Sequence, residues 1–526
     1  MGGNGRTLNV WHVTREYAGI AEAGGVKNVA CSLAEGLVRQ GAKCTVFIPF
    51  YGCTMMKRLS KITELSSSIA GIICGNSIYR VAYGQAEVKG VRIIFVMHRI
   101  FTEKRSVYVY TAEDEKENPE FVRGMGHKDA NIMNTVFQKA VIAFAQLSGE
   151  YPDIVQCQDA HTALIPAFAK ASPQHAKSFA NTRFFVTIHN AGEGYRQQFN
   201  SMLEAYSLTG LPMPMLQTGL MNGHIEPFLV ASVYAKLSTV SPWYAEELLN
   251  VNDTFTGGLA QTFAEKNIII KGITNGIDAD RYCPEDKSKS LLPYTFNPKK
   301  GSFHGKYSCR SWFIKNTGKN FNVPGLECYG AITHKPGNVY FAYHGRLVHQ
   351  KGLEVLADAA ETVLKKNSDA CFIVTGQGDS SLEECHKLLA EQNKGRYIYI
   401  RGYERSFVRL CVAAADFIVL PSFFEPCGLE DFIAQIFGTI PVAHAVGGLK
   451  KIIDGKTGFL YEPNTYEKLA DTLLELIDRF KKTPSAFTEI AKEAANYVEQ
   501  KYSWDRVIEQ QYLPMYTSSD DDCIAG

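Results

Sequence analysis

The sequence has almost no surplus of charge of either sign, since 55 Lys and Arg stand against 54 Asp and Glu, a net +1. No global field draws such a chain onto nucleic acid or an anionic membrane, so any anion site has to be local. It has no C-x-x-C pair, and its 13 cysteines are odd in number and irregularly spaced. That argues against a disulfide framework and a zinc site and points to a reducing compartment. It lacks any run of about 18 apolar residues, the length that spans a bilayer. Its first residues, Met1-Gly-Gly-Asn-Gly-Arg-Thr, hold no apolar signal core. Neither Gly2, with Arg6 where Ser or Thr is needed, nor the terminal Cys523-Ile-Ala-Gly526 makes a lipidation signal. A cytoplasmic protein is expected. What is present is ordinary for a folded globular chain, with 45% hydrophobic and 21% charged residues. At about 100–200 residues per domain, 526 residues suggest two large domains.

Periodicity gives those domains a class. Leu8 to Val13 is a short apolar run of β formers, and Val26, Val29, Ala30, Leu33, Ala34 and Leu37 then follow at helical spacing until Gly41. Lys43 to Phe50 reads as a second buried strand, which completes a βαβ unit and implies a parallel sheet. Asp153 to Gln158 and Phe184 to Ile188 are further strands, each followed at once by polar residues. In open α/β sheets ligands bind beyond such carboxyl ends. A second series begins at Val339 to His344 and continues through Gly352 to Lys366 (helix), Ala370 to Thr375, Tyr397 to Arg401, Phe417 to Pro421 and Pro441 to Val446. The reading is α/β, with two doubly wound domains facing each other across a cleft, joined near Asn267 to Gly276. Residues 285–337 are polar and rich in Lys, Asn, Gly and Pro, and read as a long, partly irregular excursion.

Chemistry is expected at the strand ends. Gly24-Gly25 and Gly447-Gly448 each follow a strand and open a helix, where free backbone N–H groups and the helix dipole suit an anion. Neither is a complete G-x-G-x-x-G, and a plain tight turn is the competing reading. Arg346 and Lys351 lie in one strand–helix loop and are able to converge on one anion, the first as a planar fork and the second as a point charge. Glu425, in Phe424-Glu-Pro-Cys-Gly-Leu429, is a carboxylate able to hold sugar hydroxyls or to offset positive charge, beside amides that suit phosphate oxygens. In the first domain the candidates are Asp159 and His161, then His189 and Asn190.

Taken in order, these motifs resemble glycosyltransferase family 5, the bacterial glycogen synthases and plant starch synthases, over nearly the whole chain. They are Asp159-x-His161, Thr187-Ile-His-Asn190, Thr239-Val-Ser-Pro242, Asn275-Gly-Ile-Asp278, Gly345-Arg-Leu-x-x-Gln-Lys-Gly352, Gly376-x-Gly-Asp379, Glu425-Pro-Cys-Gly-Leu429 and Gly447-Gly-Leu449. The resemblance implies a GT-B fold of two Rossmann-like domains. Residues 1–268 would form the acceptor-side domain and 269–502 the nucleotide-sugar domain. A helix over 503–516 would cross back to the first, ahead of a tail without order at 517–526. It implies retaining transfer of glucose from a nucleotide donor, ADP-glucose favoured over UDP-glucose, to an α-1,4-glucan, with no metal and no cofactor. Arg346 and Lys351 would grip the donor diphosphate, and Glu425 would contact the glucose, helped by the Cys427, Gly428 and Leu429 amides. His189, Asp159 and Asn275 would line the sugar subsite, Tyr403 would stack on the base, and Gly24, Gly25, Gly447 and Gly448 would approach the donor.

The chain departs from that pattern at two points. The family's Lys-x-Gly-Gly-Leu loop is here Glu22-Ala-Gly-Gly-Val26, and the Thr that commonly follows the Glu-Pro-Cys-Gly-Leu run is Glu430. Each carboxylate would repel a diphosphate by about 1–4 kcal/mol at contact range. Lys27 and Lys450, which follow the two Gly-Gly pairs, are expected to restore the missing positive charge; a divalent ion held by Glu22 or Glu430 is a competing idea. The alternatives in function are a related GT-B transferase with another donor or acceptor, and a non-catalytic glucan-binding paralogue. Retention of Arg346, Lys351, Glu425, Asp159 and His189 argues for the enzyme.

Overall fold

The computed structural model describes residues 7–57, 59, 62–318 and 321–518. The chain forms two compact units, one holding residues up to Asn275 and again from Val507, the other Gly276–Arg506.

The first unit carries strands β1 (Asn9–Val13), β2 (Lys43–Pro49), β3 (Thr63–Cys74), β4 (Ser77–Val88), β5 (Val91–Met97), β6 (Ile154–Gln158), β7 (Arg183–Ile188), β8 (Leu220–Met221), β9 (His224–Ile225), β10 (Lys236–Thr239) and β11 (Ile270–Gly272). Nine of them form one sheet in the order β11-β10-β7-β6-β1-β2-β5-β4-β3, and β8 with β9 makes a separate ribbon. Pairing is parallel from β11 to β5 and antiparallel at β4 and β3. β1, β2 and β6 are buried nearly throughout because helices cover both faces of a parallel sheet, which leaves no solvent side. The helix Val26–Arg39 buries Val29, Ala30, Leu33, Ala34 and Leu37, one stripe at helical spacing. Its Gly36 lets the returning segment pack closely, since a Cβ there would lie 2.3 Å from Ile508 Cδ1 and push that side chain aside. The returning segment also seats the Tyr516 ring 5.1 Å from Phe185 and bonds its hydroxyl to Gln156 Oε1 at 2.9 Å.

The second unit carries β12 (Leu326–Ile332), β13 (Val339–His344), β14 (Ala370–Gly376), β15 (Arg396–Gly402), β16 (Phe417–Leu420), β17 (Ile440–His444) and β18 (Phe459–Tyr461), in the order β12-β15-β14-β13-β16-β17-β18. All pair in parallel except the edge strand β12. Phe341, Phe372 and Phe417 stack through the middle of its core, 5.4 and 5.3 Å apart.

Three expectations need correction. The division falls at 275/276 and not 268/269, because β11 is bonded to β10 and so completes the first sheet. The stretch 285–337 is more regular than its composition suggests, since it holds the helix His304–Lys315 and the strand β12. That helix hides its inward face: Lys306 is buried, held by Ala413 O (2.9 Å), Phe437 O (3.3 Å) and Thr439 Oγ1 (2.6 Å), and burial lowers its pKa to about 7. The hairpin β3–β4 was not anticipated at all. Of the tail expected from residue 517, the part from 519 lies outside the described residues, as do Gly2 and Cys523.

Candidate active site

In the first unit most of the candidate side chains sit on the turns after β1, β6 and β7, where three parallel strands end side by side, and Asn275 follows β11. Asp159 follows β6 with φ 62° and ψ 177°, a conformation that costs a non-glycine residue about 1–3 kcal/mol. The geometry is held from outside, because Asp159 N donates to Thr187 O at 2.9 Å and its Oδ1 accepts from His189 N at 2.9 Å. Burial pushes this carboxyl up to about 7, against the pull of the His189 and Asn190 amides. Near neutrality it therefore offers both a proton donor and an acceptor to a hydroxyl.

His189 is buried and donates from Nε2 to Gln158 Oε1 at 2.5 Å, which fixes its tautomer and leaves Nδ1 as an acceptor. Burial lowers its pKa to about 4, so the ring is neutral. His12 behind it is fully buried and lowered to about 3, first by burial and then by His189. His161 lies against the Tyr108 ring at 4.9 Å, and burial, then the charge of Arg15, holds its pKa well below the usual range. Asn275 is buried, and its Oδ1 has no hydrogen-bond partner among the described residues, an acceptor left over for a ligand.

Two residues here escaped the sequence reading although they obey the same strand-end rule. Arg15 and Glu16 come directly after β1. Arg15 is buried and ties the turn together through Tyr51 Oη (2.8 Å), Asn134 Oδ1 (2.8 Å) and Val107 O (2.6 Å). Glu16 Oε2 accepts from Ala23 N at 2.9 Å and Gly24 N at 2.5 Å. This corrects the role given to Gly24: its amide faces a carboxylate of the chain itself. Gly25 is open, with nothing within 4 Å of a would-be Cβ. Lys27 bonds Glu22 Oε2 at 3.1 Å, and Glu22 Oε1 accepts from Gly19 N at 2.7 Å. The carboxylate that departs from the family pattern is thus paired by the lysine five residues on.

In the second unit the loops after β13 and β16 interlock. Gly352, at φ +66°, has to be glycine because a Cβ would lie 1.9 Å from Pro421 O. Phe423 N donates to Gln350 O at 2.9 Å and Gln350 Nε2 to Phe424 O at 3.1 Å. This sets Lys351 Nζ against Glu425 Oε2 as an ion pair, with Ser422 Oγ also on Oε2 at 3.3 Å. Arg346 stands exposed on the same loop, whose backbone is pinned by Tyr343 Oη donating to Arg346 O at 2.9 Å and by Leu347 N donating to Gln377 O at 3.1 Å.

Gly447, Gly448 and the Glu425–Leu429 loop also come together. Gly448 N donates to Glu425 O at 2.8 Å, and a Cβ on Gly448 would meet Cys427 O at 2.1 Å. Tyr403, 64% exposed, stacks on His344 at 6.1 Å. Glu430 opens the helix Glu430–Ile436, and its pKa is raised to about 7, first by burial, with Lys351 opposing and Glu425 adding to the rise. Lys450 is exposed, whereas the cation beneath the turn is the neighbouring Lys451, paired with Asp431 at 3.0 Å. Nothing in the sequence separates Lys451 from Lys450, because the partner that distinguishes them lies 20 residues away. Among the described residues no group of three or more His, Cys, Asp and Glu is placed to hold a metal ion, and no helix is long and apolar enough to cross a membrane.

Comparison with known proteins places these loops in a wider set. Residues 9–265 match the model of the starch synthase catalytic domain, and residues 338–479 match the model of glycosyl transferases group 1. Glycogen synthase of Photobacterium profundum is 28% identical over 537 residues, covering 98% of this chain and 96% of the relative. Glycogen synthase of Aeromonas hydrophila is 28% identical over 522 residues, covering 97% and 98%. Among solved structures, the catalytic domain of starch synthase IV from Arabidopsis thaliana, bound to ADP and acarbose, superposes with a TM-score of 0.79 at 22% identity, covering 97% of this chain and 99% of that one. These relations agree with two Rossmann-like units and the GT-B fold.

Proposed function

We propose, from the premise that this chain belongs to the glycogen and starch synthase family of glycosyltransferases, that it transfers glucose from ADP-glucose, in preference to UDP-glucose, with retention to the non-reducing end of an α-1,4-glucan. The observation that carries the reading is the interlocked pair of loops that presents Arg346 and Lys351 on one strand end and sets Glu425 against the lysine. In the reaction the bond from glucose C1 to the diphosphate oxygen breaks, and negative charge grows on the departing nucleotide. Preorganised cations act where that charge develops. Arg346 and Lys351 fill this role, and Glu425 turns from Lys351 to the sugar when the phosphate arrives. The acceptor hydroxyl adds to C1 from the face the nucleotide leaves and gives its proton to the departing diphosphate, so no side-chain nucleophile is needed.

Asp159, His189 and Asn275 suit the sugar because they are enclosed polar groups with hydrogen-bonding capacity to spare, His189 neutral and Asp159 only partly ionised near neutrality. Tyr403 offers an exposed ring for the base. Twelve described cysteines, all free thiols, fit a reducing, cytoplasmic setting. The test is incubation of the purified protein with radiolabelled ADP-glucose and UDP-glucose separately, with and without glycogen, followed by debranching. Label from ADP-glucose in linear α-1,4 chains is the expected result. Label only from UDP-glucose would overturn the donor, and no glycogen-dependent incorporation from either would overturn the reaction.

A further inference from the structure

The loop Glu425–Leu429 and the turn Gly447–Gly448 rise from different strands, and a buried cation joins them. The Lys451 side chain is 1% exposed. Its Nζ lies 2.5 Å from Cys427 O, 3.0 Å from Gly428 O, 3.0 Å from Gly448 O and 3.0 Å from Asp431 Oδ1, and 4.5 Å from the centre of the Phe432 ring. Asp431 is fully buried. Apolar residues of similar volume commonly serve stability as well as a buried ion pair does, so this pair calls for another account.

Covalent geometry supplies one. In a trans peptide the C=O and the N–H of the following residue point in opposite directions. Drawing the Cys427 and Gly428 carbonyls onto Lys451 therefore turns the N–H groups of Gly428 and Leu429 away from it. Gly428 is at φ +75° and Leu429 at φ −117°, ψ −23°, a left-handed then right-handed succession in which consecutive N–H groups form a concave, anion-binding donor pair. We propose that Lys451 is a positioning residue for the donor: from below the loop it aims the Gly428 and Leu429 amides at a diphosphate oxygen and locks the Gly447–Gly448 turn beside them. This rests on reading that loop as the donor's. It also replaces Lys450 as the lysine that matters after the second Gly-Gly pair, and gives it an indirect role.

The experiment is calorimetric titration of the full-length protein with ADP and, separately, with maltoheptaose. It compares the wild type with Lys451→Met, Lys451→Arg and Arg346→Ala. In Lys451→Met, ADP affinity falls by about tenfold or more while maltoheptaose affinity stays within about twofold. Lys451→Arg, whose guanidinium can still hold the carbonyls, recovers ADP affinity to within about threefold of wild type. A merely structural lysine would move both ligands or neither. Should Lys451→Met fail to fold, the double variant Lys451→Gln/Asp431→Asn removes both charges together and is read by the same criterion. ADP affinity unchanged in the folded variant, or equal losses for both ligands, overturns the proposal. If it is unchanged there while Arg346→Ala loses ADP, the positioning role alone falls; if the wild type does not bind ADP, the reading of the loop falls with it.

Discussion

At the carboxyl ends of the first sheet, His12, His161 and His189 are enclosed and neutral and the Asp159 carboxyl is raised to about 7, whereas at those of the second sheet Lys351 and Glu425 meet as an ion pair and Arg346 reaches solvent. The same architecture has thus produced two unlike polar sites. Low-dielectric burial strips charge from titratable groups and leaves hydrogen bonding, which is what an uncharged sugar offers. Two cationic side chains on one loop are what a diphosphate needs. On the proposed reading the second unit supplies the cations for the diphosphate, with Glu425 turning to the sugar, while the first supplies enclosed hydrogen-bonding groups, so variants in each should fail in different ways.

The largest effect is expected from Lys351→Ala, which removes a cation and leaves Glu425 without its partner. The rate of transfer from ADP-glucose falls by about 10³-fold. The melting temperature hardly moves, since a partly exposed pair contributes about 0–1 kcal/mol. A large loss of stability with little loss of rate would break the comparison. Asp159→Asn comes next and sharpens it from the other side: kcat falls by about 10²-fold while the KM for ADP-glucose stays within about threefold. Steady-state kinetics with each substrate varied in turn checks the split.

A smaller effect concerns pH. The raised pKa of Glu430 means that the carboxyl is neutral below about 7 and ionised above it, beside the loop read as the donor's. ADP affinity should therefore decline about fivefold between about pH 6 and about pH 8, and Glu430→Gln should flatten that slope. The same group binds its proton more tightly in the folded state. Its stabilising contribution is therefore complete below the ordinary glutamate value of 4.5 and is lost as pH rises through about 7. The smallest effect belongs to the Lys27–Glu22 pair. Lys27→Ala leaves Glu22 unbalanced and weakens ADP binding about two- to fivefold, and adding Glu22→Gln restores it. Additive losses in that double-variant cycle would show that the two side chains act independently.

The parallel core was legible because its strands are continuous apolar runs: Val339–His344 and Phe184–Ile188 announce themselves, and the helix at Val26 is set by one stripe of Val, Ala and Leu. Much of what escaped was built on polar residues in apolar places. The hairpin β3–β4 escaped although β3 ends in the run Ile69-Ala-Gly-Ile-Ile-Cys74, whose side chains alternate in the sheet, with Ile72 inward and Ile73 exposed. The helix His304–Lys315 turns a lysine inward, which reads as a surface pattern. At the site, the residues beyond β6, β7, β13 and β16 are legible because the sheet dictates where they lie, whereas Arg15 and Glu16 beyond β1 obey the same rule and escaped. Lys451 and Asp431 were missed because their pairing depends on how two loops fold over each other. The amide of Gly24 was assigned to a ligand because nothing in a Gly-Gly pair reveals that Glu16 has already claimed it.

The central claim is that cations on the second unit's strand-end loop neutralise the nucleotide as it leaves. Single-turnover transfer from ADP-[14C]glucose to glycogen, wild type against Arg346→Ala, tests it most directly. A fall of about 10²- to 10³-fold in the transfer rate, with glycogen binding intact, is predicted. A variant that transfers glucose within a few-fold of the wild-type rate would contradict the claim.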